Sequence, residues 1–374
     1  MGRIIVLGSG ILGASAAFHL AAKGVKVILV DRAEVGQATN AAAGIICPWI
    51  SQRRNKAWYE LVKHGARYYP ELVEKLTSYG IGNTGYRKVG ALSLHTNEEK
   101  LMQMADRAIK RREDAPEIGE VNILTYEETK ERFPLVAEGY GSVYVSGGAR
   151  VDGRLIRDAM VKAAVHLGTE YVSGNASLIY EDNGVSGVVV NGERVEADRV
   201  LVTTGAWARE VLEPVGVNFQ VSGQKAQIVH LELPCVDTSE WPVVMPPNNQ
   251  YLVTFEDGRV VVGSTHEDHK EFDTRVTAGG LNEIIGKALE MFPDLEEATV
   301  VETRVGFRPF TPDFLPVIGT VPNLEGVLVA NGLGASGLTS GPFLGSELAK
   351  LALGEETLLD VSRYAVEGAI GDCK

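Results

Sequence analysis

Gly8, Gly10 and Gly13 stand in the spacing G-x-G-x-x-G. A carboxylate, Asp31, follows at roughly the 20-residue distance expected of a dinucleotide-binding unit. Each residue type has a physical task in that chemistry. Gly8 permits a tight turn, Gly10 lets backbone approach a pyrophosphate, and Gly13 lets a helix and a strand pack closely. A helix opening at Ile11 and Leu12 would then set its N-terminal N–H groups against the phosphate charge. Asp31 would accept hydrogen bonds from ribose hydroxyls and repel a 2′-phosphate, which favours FAD or NAD over NADP.

Two further runs offer backbone rather than side-chain chemistry. Ala38-Thr39-Asn40-Ala41-Ala42-Ala43-Gly44-Ile45 is a stretch of small residues past which a bulky planar group could slide. Gly332-Leu333-Gly334-Ala335-Ser336-Gly337-Leu338-Thr339 is a second glycine-rich turn. Its N–H groups could face the N1–O2 edge of a flavin and stabilise charge on the reduced ring. Together the runs favour FAD over NAD, although either taken singly also suits plain helix packing.

The remaining candidates are side chains. Arg308 could bind a carboxylate through its planar fork, but an arginine in a strand is more often a surface or ion-pair residue. Tyr251 opens a hairpin strand, where aromatic residues ordinarily pack. His266-Glu267-Asp268-His269 has the look of a ligand cluster, yet it lacks a distant third partner, and no metal site is expected. No Ser-His-Asp or Cys-His set is evident. Cys47 reads as a buried thiol and Trp207 as a core residue.

These groups need elements to position them. Residues 3–7 are apolar, 11–23 carry helical periodicity and 25–30 are apolar and β-branched, which predicts β-α-β. Helices are predicted over 56–78, 98–113, 155–167 behind Asp152 as N-cap, 281–291 and 342–353. Strands are predicted at 177–180 and 185–190 around Asn183-Gly184, at 199–203, at 251–255 and 259–263 through Asp257-Gly258, and at 326–330. No repeat and no Pro/Ser-rich linker interrupts them. The order predicts an α/β protein with a nucleotide-binding sheet assembled from separated segments and an antiparallel sheet inserted between them.

Composition narrows the partners. Thirty-six Lys and Arg face 49 Asp and Glu, a net charge of −13 without a polybasic block. That lacks the footprint of nucleic-acid or anionic-membrane binding, so an anionic substrate would need a local cation. Cys47, Cys235 and Cys373 have no metal-ligand spacing and suit a reducing compartment. No apolar run reaches the length of a membrane helix, and no signal peptide is read at the N-terminus. The expectation is a cytoplasmic protein; peripheral membrane contact and a homo-oligomer are both compatible with it.

With these runs in hand, the chain resembles the D-amino-acid oxidase superfamily, and within it the glycine oxidase, sarcosine oxidase and D-amino-acid dehydrogenase group. The likeness runs through the N-terminal glycine loop with Asp31, Ala43-Gly44-Ile45, Val151-Asp152-Gly153, Thr204-Gly205-Ala206-Trp207 and Tyr251-Leu252-Val253. It continues through Gly258-Arg259-Val260-Val261-Val262-Gly263, Gly306-Phe307-Arg308-Pro309 and the turn at 332–339. The resemblance implies a Rossmann-like FAD-binding domain of the glutathione-reductase type, over 1–84, 147–214 and 303–374. An inserted, mainly antiparallel β-sheet substrate domain would take 85–146 and 215–302.

The same resemblance implies FAD contacts at Ile11, Leu12, Asp31, Arg32, Ala38, Thr39, Ala43, Gly44, Ile45, Ala176, Gly205 and the turn at 332–339. It places the substrate carboxylate on Arg308, with Tyr251 in the same pocket, and sets His266 where glycine oxidase has a pocket methionine. The chain also departs from its relatives. Ala335 stands where glycine oxidase has a second arginine. Pro309-Phe310-Thr311-Pro312 stands where some relatives carry a flavin-linking cysteine, and the flavin-linking histidine near the N-terminal turn is absent too, which implies non-covalent FAD. Val261 stands where monomeric sarcosine oxidase places its oxygen-activating lysine, so O2 and a quinone carrier are both open as acceptors. The implied reaction is oxidative deamination of a small amino acid, whether a D-amino acid, glycine or an N-methyl amino acid. A 2-hydroxy-acid or polyol-phosphate oxidoreductase and a non-catalytic flavoprotein are the alternatives.

Overall fold

A computed structural model describes residues 2–181, 184–268 and 272–372. Its first sheet has six strands in the order Val317–Thr320, Val327–Asn331, Arg199–Val202, Arg3–Leu7, Lys26–Asp31 and Glu170–Ser173. All neighbours run parallel except Val317–Thr320 against Val327–Asn331. The central strands are continuous apolar runs because both faces of this sheet are covered. Helix Ile11–Ala22 is buried on almost every side, packed against helices Gly153–His166 and Gly337–Leu353. Alanines at 14, 16, 17 and 21 make that close approach possible.

The second sheet has eight strands: Thr299–Phe310, Ser222–Glu232, Arg259–Gly263, Tyr251–Thr254, Val243–Met245, Ala91–His95, Gly141–Val145 and Val121–Leu124. It is antiparallel apart from the pairing of Val243–Met245 with Ala91–His95. One face carries helix Ala278–Met291 over a core that includes Val229, Leu252, Val260 and Ile284. The other presents Ile228, Val253 and Val261 to the core of the glycine-loop layer. Two three-stranded sheets complete the chain.

Several expectations meet the structure closely. Helix Lys56–Ser78 has the predicted bounds, with Asn55 capping the Trp58 N–H, and Asp152 caps the helix that opens at Gly153. Asp257 and Gly258 both adopt positive φ, as a two-residue hairpin turn requires. Gly184 opens strand Gly184–Val190, whereas Asn183 lies outside the described residues.

Others need correction. The last helix begins at Gly337 rather than 342 and carries Pro342 as its sixth residue, where the Leu338 carbonyl left without an intrahelical N–H accepts from the Tyr69 hydroxyl instead. Ser222–Glu232 was not expected, since its alternation is broken by buried polar residues such as Lys225, Gln227 and His230, and of Thr299–Phe310 only a strand at Arg308 was expected. Among the described residues no helix is long and apolar enough to cross a membrane.

Candidate active site

One continuous cavity of about 360 Å³ runs from the glycine loop to the second sheet. Gly8, with φ of 94°, makes the turn after the first strand, and its N–H donates to the Val30 carbonyl at 2.8 Å. The Asp31 carboxylate is buried behind the loop. It accepts from the Ser9 N–H and the Ala33 N–H, both at 2.6 Å, and from Gln37 Nε2 at 3.0 Å. Thr39 Oγ1 accepts from the Ile11 N–H at 3.0 Å, tying the small-residue run to the helix start. Arg32 pairs with Glu34 and Glu210.

Two helix N-termini open on this cavity without a side-chain cap. One is Ile11–Ala22, preceded by Gly10, and the other is Gly337–Leu353. Apart from the Ile11 N–H, which Thr39 takes, these first turns present N–H groups and the positive end of a helix dipole, so the cavity offers two separate anion-stabilising poles. Gly10 has φ of −63°, and a Cβ built there meets nothing nearer than Thr39 Oγ1 at 3.5 Å. A Cβ on Gly205 meets no atom within 4 Å. These glycines therefore leave space toward the cavity rather than toward protein. A dinucleotide with a pyrophosphate at one pole and an electron-accepting ring at the other fits this arrangement.

At the far end the second sheet supplies side chains. Gln224 and Arg308 are register partners on the two longest strands. Arg308 Nη1 donates to Gln224 Oε1 at 3.1 Å and Nη2 to Ser264 Oγ at 2.5 Å. The Tyr251 hydroxyl lies beside both Ser264 and Arg308. Burial raises the Tyr251 phenol, with the nearby guanidinium opposing it, and burial also lowers Arg308. His266 is exposed at the cavity wall, and its imidazole is pushed down by partial burial and by the charge of Arg308. The neutral ring is favoured near pH 7.

The cavity gathers nearly every residue singled out in the sequence. Gly8, Gly10, Ile11, Leu12, Asp31, Arg32, Ala38, Thr39, Ala43, Gly44, Ile45, Ala176 and Gly205 line it. So do Gly332, Leu333, Gly334, Ala335, Gly337, Leu338 and Thr339, with Tyr251, His266 and Arg308 at the other end. Two do not. Gly13 packs instead, because a Cβ there would sit 1.8 Å from the Gly8 carbonyl oxygen. The Ser336 hydroxyl is turned away to accept from Trp58 Nε1 at 2.9 Å.

Trp207 is not a core residue. It lines the cavity and stacks on Phe272, with ring centroids 5.1 Å apart. Cys47 is buried and its thiol is pushed up to about 12, whereas Cys235 is exposed and Cys373 lies outside the described residues. The Glu267 and Asp268 side chains turn to Gln227 and Gln224, away from His266, and His269 lies outside the described residues.

Four contributors escaped the sequence reading: Gln37 behind Asp31, Gln224 and Ser264 on Arg308, and Asn249 in the cavity lining. For Gln224 the only available signal was the strand register. Its polar side chain reads as solvent-facing until Thr299–Phe310 is laid beside it.

The parallel sheet with its glycine loop, joined to an antiparallel sheet bearing an arginine in the shared cavity, defines a dinucleotide-dependent oxidoreductase. A family model described as FAD dependent oxidoreductase matches residues 3–351, and the chain belongs to that family. It is 56% identical to an uncharacterized oxidoreductase, YurR, of Bacillus subtilis (strain 168), over 99% of this chain and 100% of the relative. Glycine oxidase of Pseudomonas putida is 29% identical over 99% of both chains. The crystal structure of iminodiacetate oxidase (IdaA) from Chelativorans sp. BNC1 superposes with a TM-score of 0.94 at 43% identity, covering 97% of this chain and 98% of that one. The cofactor of this enzyme is FAD.

Proposed function

We propose that the chain oxidises the Cα–N bond of a small amino acid, D-configured, unsubstituted or N-substituted, to an imine that water hydrolyses to a 2-keto acid and an amine or ammonia. FAD, when bound, supplies the two-electron acceptor. One observation carries the reading: Arg308 has no carboxylate partner among the described residues, although it lines a cavity. Other arginines on or beside the same sheet are paired, Arg304 with Glu302, Arg259 with Asp152 and Arg150 with Glu256. A guanidinium held in place by neutral groups and left without a counter-ion is set to receive one from a ligand.

The residues then have distinct tasks. Arg308 binds the carboxylate and fixes the orientation of Cα, which is the main positioning contribution the protein can make to hydride removal. Gln224 and Ser264 hold its fork, and Tyr251 closes the pocket beside it. The neutral imidazole of His266 adds no positive charge near pH 7, so Arg308 is the main opponent of an ammonium in the cavity, and the reactive amine must be uncharged. The glycine oxidase and iminodiacetate oxidase relatives support amine donors. The same reading assigns 1–84, 147–214 and 303–374 to cofactor binding and 85–146 and 215–302 to the substrate side, with the strand Thr299–Phe310, and Arg308 on it, reaching across as part of the second sheet. FAD is held without a covalent link, since no cysteine follows Arg308 in Pro309-Phe310-Thr311-Pro312.

The test is anaerobic bleaching of the bound flavin with glycine, sarcosine, D-amino acids and 2-hydroxy acids, followed by air and a peroxide assay. Bleaching by amines with keto-acid release supports the reading. Bleaching by hydroxy acids alone overturns it.

A further inference from the structure

Thr299–Phe310 is an outer strand of the second sheet, paired there with Ser222–Glu232 alone. Part of its other edge is taken by residues 36–41, the segment that runs from behind Asp31 into the small-residue run. The Phe307 N–H donates to the Gly36 carbonyl at 2.9 Å, and a Cβ on Gly306 would stand 2.8 Å from the Ala41 Cβ. Arg304 Nη1 donates to the Asn40 carbonyl at 3.3 Å, while its Nε and Nη2 hold Glu302. Side chains alternate along a strand, so Arg304, Gly306 and Arg308 share one face. The segment is therefore clamped to the same stretch of strand that carries Arg308.

The other end of the segment reaches the acid of the glycine loop. Asn40 Nδ2 donates to Gln37 Oε1 at 3.1 Å, and Gln37 Nε2 donates to Asp31 Oδ1 at 3.0 Å. Oδ1 also accepts from the Ala33 N–H, whereas Oδ2 accepts from the Ser9 N–H and keeps capacity for a ribose hydroxyl. Glu302, Arg304, Asn40, Gln37 and Asp31 thus form one unbroken chain between the strand of Arg308 and the acceptor at the cofactor end. Arg304 and Asn40 are not among the residues that line the cavity, so neither has a binding task of its own there.

We infer that Asn40 and Arg304 are positioning residues for Arg308: they carry the anchoring of residues 36–41 at the cofactor end across to the strand, and so fix the place where the guanidinium meets a carboxylate. The inference deepens the amine-oxidising reading and rests on its carboxylate anchor. A bidentate contact is directional, so a strand released at Arg304 presents the fork less accurately and binds a carboxylate less tightly even when FAD is fully bound. Cutting the chain at Asn40 has the same effect, because the Asn40 carbonyl then holds Arg304 to a segment no longer tied to Gln37 and Asp31.

The experiment titrates the fully FAD-loaded holoenzyme with butyrate, a carboxylate without an oxidisable amine, and follows the flavin absorbance. Wild type is compared with Asn40→Ala, Arg304→Gln, Arg304→Lys, the Asn40→Ala/Arg304→Gln double variant and Arg308→Met. The butyrate dissociation constant should rise about fivefold or more in Asn40→Ala and in Arg304→Gln. Arg304→Lys, whose ammonium can still donate to both Glu302 and the Asn40 carbonyl, should bind butyrate more tightly than Arg304→Gln. Because both changes cut one chain, the double variant should bind about as weakly as either single variant, not with the product of the two losses. Wild-type affinity in either single variant, multiplied losses in the double variant, or an Arg304→Lys enzyme no tighter than Arg304→Gln overturns the inference, and leaves the anchor intact if Arg308→Met loses butyrate. If butyrate binds wild type and Arg308→Met alike, the anchor fails and the inference with it.

Discussion

Arg308 and Gln224 face each other across the register of the two longest strands, and the guanidinium donates to the amide oxygen of Gln224 at 3.1 Å. A neutral acceptor orients the arginine without consuming its charge. A carboxylate at the same place would do both, and the difference between the two side chains is what keeps the site available to an anion.

Replacing Arg308 with Met should therefore cost at least ~3 kcal/mol in kcat/KM, about a hundredfold, since two charge-assisted hydrogen bonds are lost. Flavin content should be retained, because the pyrophosphate end of the cavity is untouched. Turnover of an identified substrate at the wild-type rate would remove Arg308 from the anchoring role.

Gln224→Glu asks the converse question. The new carboxylate is nearly isosteric and would pair with Arg308 internally, so KM should rise by about tenfold or more with little loss of fold stability. Gln224→Leu, which leaves the charge but not its orientation, should cost only about 1 kcal/mol. If KM is insensitive to the introduced acid, the substrate is not held at Arg308.

Gly10 and Gly13 belong to one sequence motif but predict different phenotypes. At Gly10 the backbone is extended and the nearest protein atom to an added Cβ is 3.5 Å away, so Gly10→Ala should leave apo-protein melting unchanged and weaken FAD binding by at least tenfold, about 1.4 kcal/mol. At Gly13 the added Cβ would overlap the Gly8 carbonyl at 1.8 Å, so Gly13→Ala should lower apo-protein stability by several kcal/mol. FAD titration and thermal melts of the apo-proteins check both. A destabilised Gly10→Ala apo-protein would show that its role is packing.

The glycine loop, Asp31 and the second glycine turn were legible in the sequence because backbone approach leaves a compositional trace: only small residues are tolerated where chain and ligand nearly touch. Asn55 and Asp152 were likewise readable as caps. Gln224 and Ser264 left no such trace. Their significance depends on which strand lies beside which, and the strands that carry Gln224 and Arg308 are separated by a hairpin and a helix. Trp207 failed for a related reason: an aromatic residue after a buried strand reads as core unless the cavity beside it is known.

Asp31 is expected to link cofactor affinity to fold. Its carboxylate satisfies two backbone N–H groups and Gln37 from a buried position. Asp31→Ala leaves those donors unpaired, at roughly 1–3 kcal/mol, and removes the acceptor for a ribose. Both apo-protein stability and FAD affinity should fall, unlike in Gly10→Ala, as measured by urea unfolding and by quenching of FAD fluorescence. Loss of stability with undiminished affinity would leave Asp31 a structural residue only.

Two buried histidines set the response to acid. His19, bonded to the Ser15 carbonyl at 2.7 Å and to the Tyr68 hydroxyl, is held down to about 3 by burial. His230, whose ring nitrogens have no hydrogen-bond partner among the described residues, is held down to about 4 by burial and then by Arg304. Both stay neutral in the folded state while the unfolded chain takes up protons below about pH 6.5. Stability is thus fully present above that pH and is lost as pH falls toward 4, at about 1.4 kcal/mol per pH unit for each ring. Between pH 7.5 and 5 the two together should cost roughly 4 kcal/mol, in a window where carboxylates remain ionised. Urea midpoints across that range should show the decline, and His19→Gln and His230→Gln should each remove about half of its slope. A double variant with the wild-type slope would place the acid response on other groups.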